Sequence, residues 1–432
     1  MKKLNMGSAI FMIAMMLCGS AWALNATDHV KIAPNAKGDM LIFPWYLTLA
    51  GDSPMVTKIS VINTSATDCV VAKVVYRSFM WSQEVLDHLI YLSPNDVWTG
   101  TIVMTSATGA GLYSDDDSIM TSTTSFATPA NPVNVPFIAT ACSGDGNNNG
   151  YIEVIEAASV DYRTITNPDR YPVPKTYIYE WYNSITSTEI RSTYRPINVL
   201  NGYQENINAV SRSVRQAVVF ADYLNFNKLT INEETFLGEP GVNNNLSEVE
   251  AALAKASVGL PYYATEDGDW SMHTFNYPTK IADIYRSGCN YRDNTESPYW
   301  NALGCVTYTR GMYDLSENSP PPGAGGSVFS PPEAPEQQPQ MCDEVTRIYT
   351  QYDELLASFT EGWVRYIWVD HDSTVKTGTT ESGAAITFTG SPVIPSVMHI
   401  NSNGTWSESG ASFTDGTVTV GGAAQPYYQY SE

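Results

Sequence analysis

The sequence predicts a mainly β protein, built as an antiparallel immunoglobulin-like β-sandwich with long loops and a mixed helical insertion. Short segments rich in Val, Ile, Tyr and Trp recur from residue 39 to residue 104. Turn-forming residues separate these segments, and no helical pattern intervenes between them. Residues 58–63 (KISVIN) alternate polar and apolar side chains, as a half-buried antiparallel strand does. Strands at this spacing without intervening helices favour a sandwich over a parallel α/β sheet.

The N-terminal residues have the three parts of a secretory signal peptide. Two lysines precede an apolar segment at residues 6–18, and Ala21-Trp22-Ala23 supplies the small-x-small cleavage site. The apolar segment is shorter than the roughly 20 residues of a membrane-spanning helix. Lipid attachment at Cys18 is disfavoured because Leu17 stands where a small residue is needed. We therefore expect residues 1–23 to be removed and the mature chain to be exported without a transmembrane anchor.

Between residues 24 and 160 the sequence predicts a first β-rich part of the sandwich. Glycine, proline, serine and asparagine mark the turns, and residues 105–150 are rich in Ser, Thr, Asp and Asn, which is typical of surface loops. The predicted strands are residues 40–47, 56–63, 70–77, 86–92, 97–104 and 151–160.

Residues 161–268 predict a mixed α/β insertion. Its best helix covers residues 248–257, with Ser247 as N-cap, Glu250 as the capping-box partner and Gly259 after its end. Residues 207–224 also have helical spacing, although their β-branched side chains count against a helix.

Residues 269–432 predict a second β-rich part. Between its strands, residues 319–340 carry seven prolines, a composition that favours open coil. We interpret this segment as a long loop whose ends are close in space, with an interdomain linker as the alternative. The predicted strands are residues 272–277, 306–313, 344–352, 363–369, 385–389 and 416–420.

Charge and cysteine content indicate the compartment and exclude some partners. The formal net charge is −22, and removing residues 1–23 makes it −24 because two lysines and no acids are lost. Nucleic acids and anionic membranes are therefore disfavoured as partners. Five cysteines remain after cleavage, which allows two disulfides, and no Cys-x-x-Cys is present. We expect Cys69 to pair with Cys142 and Cys305 with Cys342.

Four segments resemble a family of exported, β-rich Gram-negative bacterial surface proteins without an assigned activity. They are residues 38–46 (GDMLIFPWY), 59–65 (ISVINTS), 87–98 (DHLIYLSPNDVW) and 275–280 (FNYPTK). Together they cover about a fifth of the chain. The resemblance implies export and β architecture, and it implies no catalytic residues.

The most specific motif is residues 145–156, DGNNNGYIEVIE, which matches the D-x-[DN]-x-[DN]-G-x₅-E calcium loop at every constrained position. Oxygens at positions 1, 3 and 5 surround a hard cation, and glycine at position 6 permits the turn. The flanking sequence favours strands over the helices of an EF-hand, so an Asn/Gly-rich turn is the alternative. The predicted Ca²⁺ ligands are Asp145, Asn147, Asn149, the carbonyl of Tyr151 and Glu156.

Three weaker patterns complete the candidate sites. The acidic triplet at residues 115–117 is read as a solvated loop, and Asp370-His371-Asp372 is the one histidine flanked by carboxylates. The aromatic segments 177–182 (YIYEWY) and 426–430 (PYYQY) are either exposed contact patches or core packing. No nucleophile elbow, P-loop or dinucleotide fingerprint follows a strand.

These observations favour a secreted or cell-surface protein with a structural or binding role: adhesin-like, matrix-like, or part of an extracellular assembly. Its partners would be a second copy, another surface protein or a glycan. The alternative is a secreted hydrolase acting on polysaccharide, so enzymatic activity is left open with a preference against it. We expect export to the periplasm, the cell surface or the medium of a Gram-negative bacterium.

Overall fold

The fold is known from a computed structural model. It describes residues 30–51, 54–106, 109–122, 125–138, 147–165, 172–223, 246–263, 268–280, 286–287, 290–291, 300, 304–315, 339–350, 361–368, 376–379, 384–401, 403, 406–409, 412–415, 418–420 and 423–424. Of these residues 60% lie in strands and 11% in helices, and the sheets are antiparallel, which confirms the predicted mainly β class. The predicted signal peptide and the greater part of the proline-rich segment lie outside the described residues.

The described residues before 224 form two six-stranded antiparallel sheets and one short strand pair, β8–β9. The first sheet has the order β1-β14-β2-β11-β4-β5, and the second has the order β10-β7-β6-β3-β12-β13. Three short helices, α1 (Tyr162–Ile165), α2 (Lys175–Ser184) and α3 (Ser187–Ser192), follow β11. The strands are β1 (Lys31–Ile32), β2 (Met40–Leu47), β3 (Met55–Asn63), β4 (Asp68–Ser78), β5 (Glu84–Leu92), β6 (Val97–Met104), β7 (Ala110–Ser114), β8 (Met120–Ser122), β9 (Ser125–Phe126), β10 (Val133–Pro136), β11 (Asn149–Asp161), β12 (Leu200–Asn208), β13 (Arg212–Gln216) and β14 (Val218–Ala221).

The predicted strands of this part are confirmed, and the reason is their side-chain pattern. β2 and β6 have the predicted bounds, and β3, β4 and β5 begin or end within two residues of them. β3 alternates buried and half-buried residues along its whole length, so one of its faces packs and the other is open. Its inward residues, Ile59 and Val61, belong to a core shared with Leu41 and Phe43 of the first sheet.

The described residues after 245 form helix α4 (Leu246–Leu253) and sixteen strands. The third sheet has the order β20-β19-β22-β15-β25 with β28 also beside β15, the fourth is β21-β16-β26-β27, and the fifth is β23-β24-β29-β30; β17 and β18 pair alone. The strands are β15 (Ala254–Tyr263), β16 (Trp270–Asn276), β17 (Arg286–Ser287), β18 (Asn290–Tyr291), β19 (Val306–Tyr313), β20 (Gln340–Met341), β21 (Val345–Tyr349), β22 (Glu361–Trp368), β23 (Lys376–Thr379), β24 (Ala385–Phe388), β25 (Ser391–Pro392), β26 (Ile394–Ile400), β27 (Trp406–Ser409), β28 (Ser412–Asp415), β29 (Val418–Val420) and β30 (Ala423–Ala424).

The predicted immunoglobulin-like sandwich is wrong. The five sheets of four or more strands are arranged as a five-bladed β-propeller. The first three sheets have six strands each, whereas typical propeller blades are four-stranded units. The first two sheets instead draw alternately on the chain: β2 belongs to the first, β3 to the second, β4 and β5 to the first again. The local strand pattern predicts the strands correctly but carries no information on how the sheets are arranged.

The segment 161–268 is not a separate insertion. β14 joins the first sheet, β12 and β13 join the second, and β15 is a central strand of the third. The helical interpretation of residues 207–224 is therefore wrong, because β-branched residues there pair in strands. The helix predicted at residues 248–257 exists, but it begins at Leu246 and ends at Leu253. The Lys255–Tyr263 backbone that follows pairs with β22 and β28 instead of continuing the helix.

One of the two expected disulfides is present. Cys305 and Cys342 are bonded next to the paired strands β19 and β20, so the bond closes the chain on both sides of the proline-rich segment. Cys69 is a buried free cysteine, so its expected pairing with Cys142 is wrong. Cys142 itself lies outside the described residues. Burial raises the pKa of the Cys69 thiol to about 12, which keeps it protonated and unreactive at neutral pH.

We predict that reduction destabilises the folded chain by about 4 kcal/mol, because the bond closes a loop of 37 residues. Urea unfolding with and without reductant measures this difference. A Cys305→Ala/Cys342→Ala variant should lose this contribution to the response, whereas Cys69→Ala should respond to reductant as the wild type does. Equal stability of the wild type in both conditions would contradict the prediction.

Candidate functional site

Three of the five predicted calcium ligands lie along one strand. Asp145 lies outside the described residues. Asn147 occupies a turn with a left-handed backbone, φ 58°, and its side-chain amide donates to the carbonyl of Ile138 at 2.7 Å. Asn149, Tyr151 and Glu156 all belong to β11, which pairs with β2 on one side and β4 on the other.

Strand geometry separates these ligands too far for one ion. Seven residues of extended chain span roughly 23 Å, so Asn149 and Glu156 stand far beyond the roughly 5 Å that two ligands of one Ca²⁺ can be apart. In the described residues, Asn149 and Glu156 therefore do not lie around one point as the motif predicts. After the turn at Asn147, pairing on both edges of β11 keeps the residues from Asn149 to Glu156 extended. Calcium binding by the chain as a whole stays a prediction.

The carboxyl group of Glu156 makes a structural contact with the protein backbone. Its side chain is fully buried, and its Oε1 accepts a hydrogen bond from the amide of Ile197 at 2.9 Å. Burial raises the pKa of the Glu156 carboxyl well above its usual range, and the nearby carboxylate of Asp39 raises it further. Burial and the neighbouring carboxylate thus both favour the neutral form of this group.

The other candidate groups also have structural roles or lie outside the described residues. Asp116 of the acidic triplet accepts hydrogen bonds from the amides of Thr99 and Ser118, which anchors the turn after β7. Asp370-His371-Asp372 lies outside the described residues. His273 is buried, with one ring nitrogen 2.7 Å from the hydroxyl of Tyr366 and the other 2.8 Å from the carbonyl of Pro261. In the described part of the chain, no three His, Cys, Asp or Glu side chains form a group that could hold a metal ion.

The aromatic segment 177–182 packs mainly against the first sheet. Ile178 and Trp181 of α2 are buried in a cluster with residues of β4, β5 and β11. Tyr179 lies edge-on to Tyr91 with their centroids 5.7 Å apart, and Trp181 lies edge-on to Tyr194 at 5.2 Å. Core packing therefore explains this segment better than an exposed patch. Residues 426–430 lie outside the described residues.

Chemically active side chains converge instead where the first sheet meets the fourth. We name this set the junction cluster, and it consists of Arg77, Ser82, Tyr151, Glu153 and Glu344. The Nε atom of Arg77 lies 3.6 Å from Oε2 of Glu153, and both side chains are fully buried. The Tyr151 hydroxyl donates to the Ser82 hydroxyl at 2.8 Å, and Arg77 donates to the Ser82 carbonyl at 3.3 Å.

The sequence places these groups together through strand register and a tight turn. Tyr151 and Glu153 are two positions apart and therefore lie on the same face of β11. Arg77 is the register partner of Tyr151 on β4. Ser82 and its neighbour Trp81 both have left-handed backbones, with φ of 45° and 70°. Two consecutive non-glycine residues in this region are strained, so the surrounding contacts must hold the turn.

Glu344 supplies the contact across the two sheets. Its Oε2 accepts a hydrogen bond from the amide of Trp81 at 2.6 Å, and the amide of Val345 donates to the carbonyl of Phe79 at 3.1 Å. Burial raises the pKa of Glu344, and the ammonium of Lys280 opposes that rise. Lys280 is itself buried and donates to the Cys342 carbonyl, which connects the cluster to the disulfide.

This arrangement is suited to joining parts of the protein. Its charged groups are enclosed, and each contact named above joins β4, β11, the turn at residues 79–83 or the segment before β21. Sequence reasoning missed the cluster, although the sequence contains a signal for it. Arg77 ends an apolar strand segment, and Glu153 stands within the run YIEVI, where a buried strand would carry only apolar residues.

Comparison with protein-family models, with curated proteins and with solved structures finds no match to this chain.

Replacing Arg77 by Met should destabilise the protein by about 3–5 kcal/mol, because the carboxylate of Glu153 loses its buried counter-charge. Adding Glu153→Leu to that variant should restore part of the loss, since the remaining charge is then removed. Chemical unfolding of the wild type, both single variants and the double variant gives the coupling energy. Additive losses in the double variant would mean that the two side chains are not a pair.

Glu156→Gln should make the protein more stable than the wild type at pH 8, with a smaller gain at pH 5. The pKa of Glu156 is raised in the folded state, so its contribution to stability is lost as pH rises above the unfolded value of 4.5. The slope is at most about 1.4 kcal/mol per pH unit. Unfolding experiments on both proteins across this range measure it. A gain that is independent of pH would show that Glu156 is ionised in the folded protein.

Proposed function

We propose that this chain is a secreted or cell-surface protein with a structural or binding role, in agreement with the expectation from its sequence. The observation that carries the proposal is the junction cluster. Its acids, arginine and tyrosine are buried where two sheets meet, with an ion pair between Arg77 and Glu153 and with hydrogen bonds to the turn at residues 79–83. Groups in this setting stabilise a rigid scaffold and do not face a substrate.

Export is supported by two further features. The Cys305–Cys342 disulfide is typical of proteins that fold in an oxidising compartment. The N-terminal pattern of a signal peptide and the four segments that resemble exported Gram-negative surface proteins favour the same assignment. None of the helices in the described part of the chain has the length and apolar character needed to cross a bilayer.

The second candidate function is hydrolysis of a polysaccharide. It is favoured by aromatic pairs at partly exposed positions, of which Tyr313 and Trp363 are the clearest, with stacked rings whose centroids are 4.2 Å apart. Such rings pack against sugar faces in binding proteins and in hydrolases alike. This observation therefore supports glycan contact without requiring turnover.

We predict that protease treatment of intact Gram-negative cells expressing the chain degrades it, while a periplasmic marker survives. A variant lacking residues 2–23 should be protected, because it stays inside the cell. The purified protein should liberate no reducing ends from polysaccharides. Protection of the full chain would contradict surface exposure, and sugar release that persists through purification would favour the hydrolase.

A further inference from the structure

The second sheet has one face inside the core and one face outside, and register defines the outer face. A row of directly paired residues crosses all six strands: Asn134, Tyr113, Thr101, Lys58, Glu205 and Val214. The residues two positions before or after these on each strand point the same way. We name this surface the outer face of the second sheet. In the described ranges it consists of Val56, Lys58, Ser60, Ile62, Val97, Thr99, Thr101, Val103, Gly111, Tyr113, Asn134, Pro136, Asn201, Tyr203, Glu205, Ile207, Arg212, Val214 and Gln216.

The outer face is unusually apolar for a surface that a sheet turns to water. Eight of its nineteen residues are Val, Ile or Tyr. Nine large hydrophobic side chains are exposed among the residues that the structure describes, and three of them lie here: Val97 at 41%, Tyr203 at 38% and Val214 at 57%. An antiparallel sheet with one solvated face normally alternates apolar-in and polar-out. Apolar side chains on both faces indicate that a binding partner covers the outer face in the functional state of the protein.

The net charge of the outer face indicates which partner covers it. The outer face carries Lys58, Arg212 and Glu205, which gives a net charge of +1 from two cations and one carboxylate. The whole chain carries −22, so two copies repel each other over the rest of their surfaces. Arg212 and Glu205 already form an ion pair at 2.6 Å. The outer face is therefore a surface on which two copies can meet with far less like-charge repulsion than elsewhere.

The size of the face suits a pair of copies. Six strands about 4.8 Å apart give a width of roughly 24 Å, and seven residues from Val56 to Ile62 give a length of roughly 20 Å. This footprint is about 500 Å², and side-chain relief raises its accessible area toward the roughly 600 Å² per partner at which specific interfaces begin. Sheets pack face to face at about 10 Å with their side chains interdigitated.

We propose that the outer face of the second sheet is a self-association surface on which a second copy of this chain packs face to face. The inference rests on the proposed structural or binding role and names its partner. The modest area makes association concentration-dependent, and the same patch serves both copies because a two-fold contact is self-complementary.

Sedimentation velocity on the mature, disulfide-bonded protein over a wide concentration range tests the proposal. The wild type should shift from monomer to dimer as concentration rises. Val214→Glu and, separately, Tyr203→Glu should weaken dimerisation at least about tenfold, because each places a carboxylate inside the contact. Leu315→Glu is the matched control, since it adds the same charge at an exposed apolar position, 71% accessible, away from this sheet. Thermal unfolding establishes that each variant is folded.

Three results would overturn the proposal. They are a wild type that stays monomeric at every concentration, dimerisation unaffected by either substitution in the face, and an equal loss in the Leu315→Glu control. Because the measurement uses purified protein without a ligand, a monomeric result rejects self-association alone. The surface-exposure experiment tests the structural or binding role separately, so the two failures are distinguishable.

Discussion

The pairing of β11 with β2 and β4 is the constraint on which the remaining structure depends. Twelve of the thirteen residues of β11 are buried, and β2 is buried along its whole length. A strand in this position must present apolar residues to both faces. Tyr151 and Ile155 accordingly face the core shared with the third and fourth sheets, whereas Ile152 and Val154 face the core shared with the second sheet. The first sheet is thus the middle layer of the packing.

Two-sided burial explains why the charged groups of β11 must have partners. A carboxyl group inside a protein costs several kcal/mol unless it is paired, hydrogen-bonded or protonated. Glu153 is paired with Arg77, and Glu156 accepts an amide hydrogen bond with its pKa raised by burial. Gly150 serves the same close packing, because a Cβ there would lie 1.8 Å from the carbonyl oxygen of Arg77.

The buried titratable groups act on stability in opposite directions as pH changes. Burial lowers the pKa of His88 to about 4. Its contribution is therefore complete above the unfolded value of 6.5 and is lost as pH falls toward 4. Glu156 and Glu344 have raised pKa values, so their contributions increase as pH falls. The opposing signs reduce the net dependence of stability on pH.

Side-chain periodicity predicts the strands and little else about the fold. It predicts β2, β3 and β6 because alternating or continuous apolar segments bounded by turn residues have few other structures. It fails at residues 207–224, where two interpretations fit and only pairing with β2, β3 and β12 decides for strands. At the calcium motif, the residues from Asn149 onward pair with β2 and β4, and the local pattern does not encode this pairing. The junction cluster joins residues more than 190 positions apart, a contact that no local pattern encodes.

The contrast between the two faces of the second sheet follows from the same physics as the interior. Inside, Ile59, Val61, Trp98 and Leu112 pack against the first sheet and exclude water completely. Outside, the same strands carry Val56, Ile62 and Val103, which are half-buried, and Val97, which is exposed, so part of the hydrophobic free energy of these side chains is not realised in the monomer. A chain with a charge of −22 stays dispersed unless two neutral surfaces meet. Acidic surroundings and one nearly neutral, apolar sheet therefore restrict association to a single face, which is the condition for a defined pair instead of open aggregation.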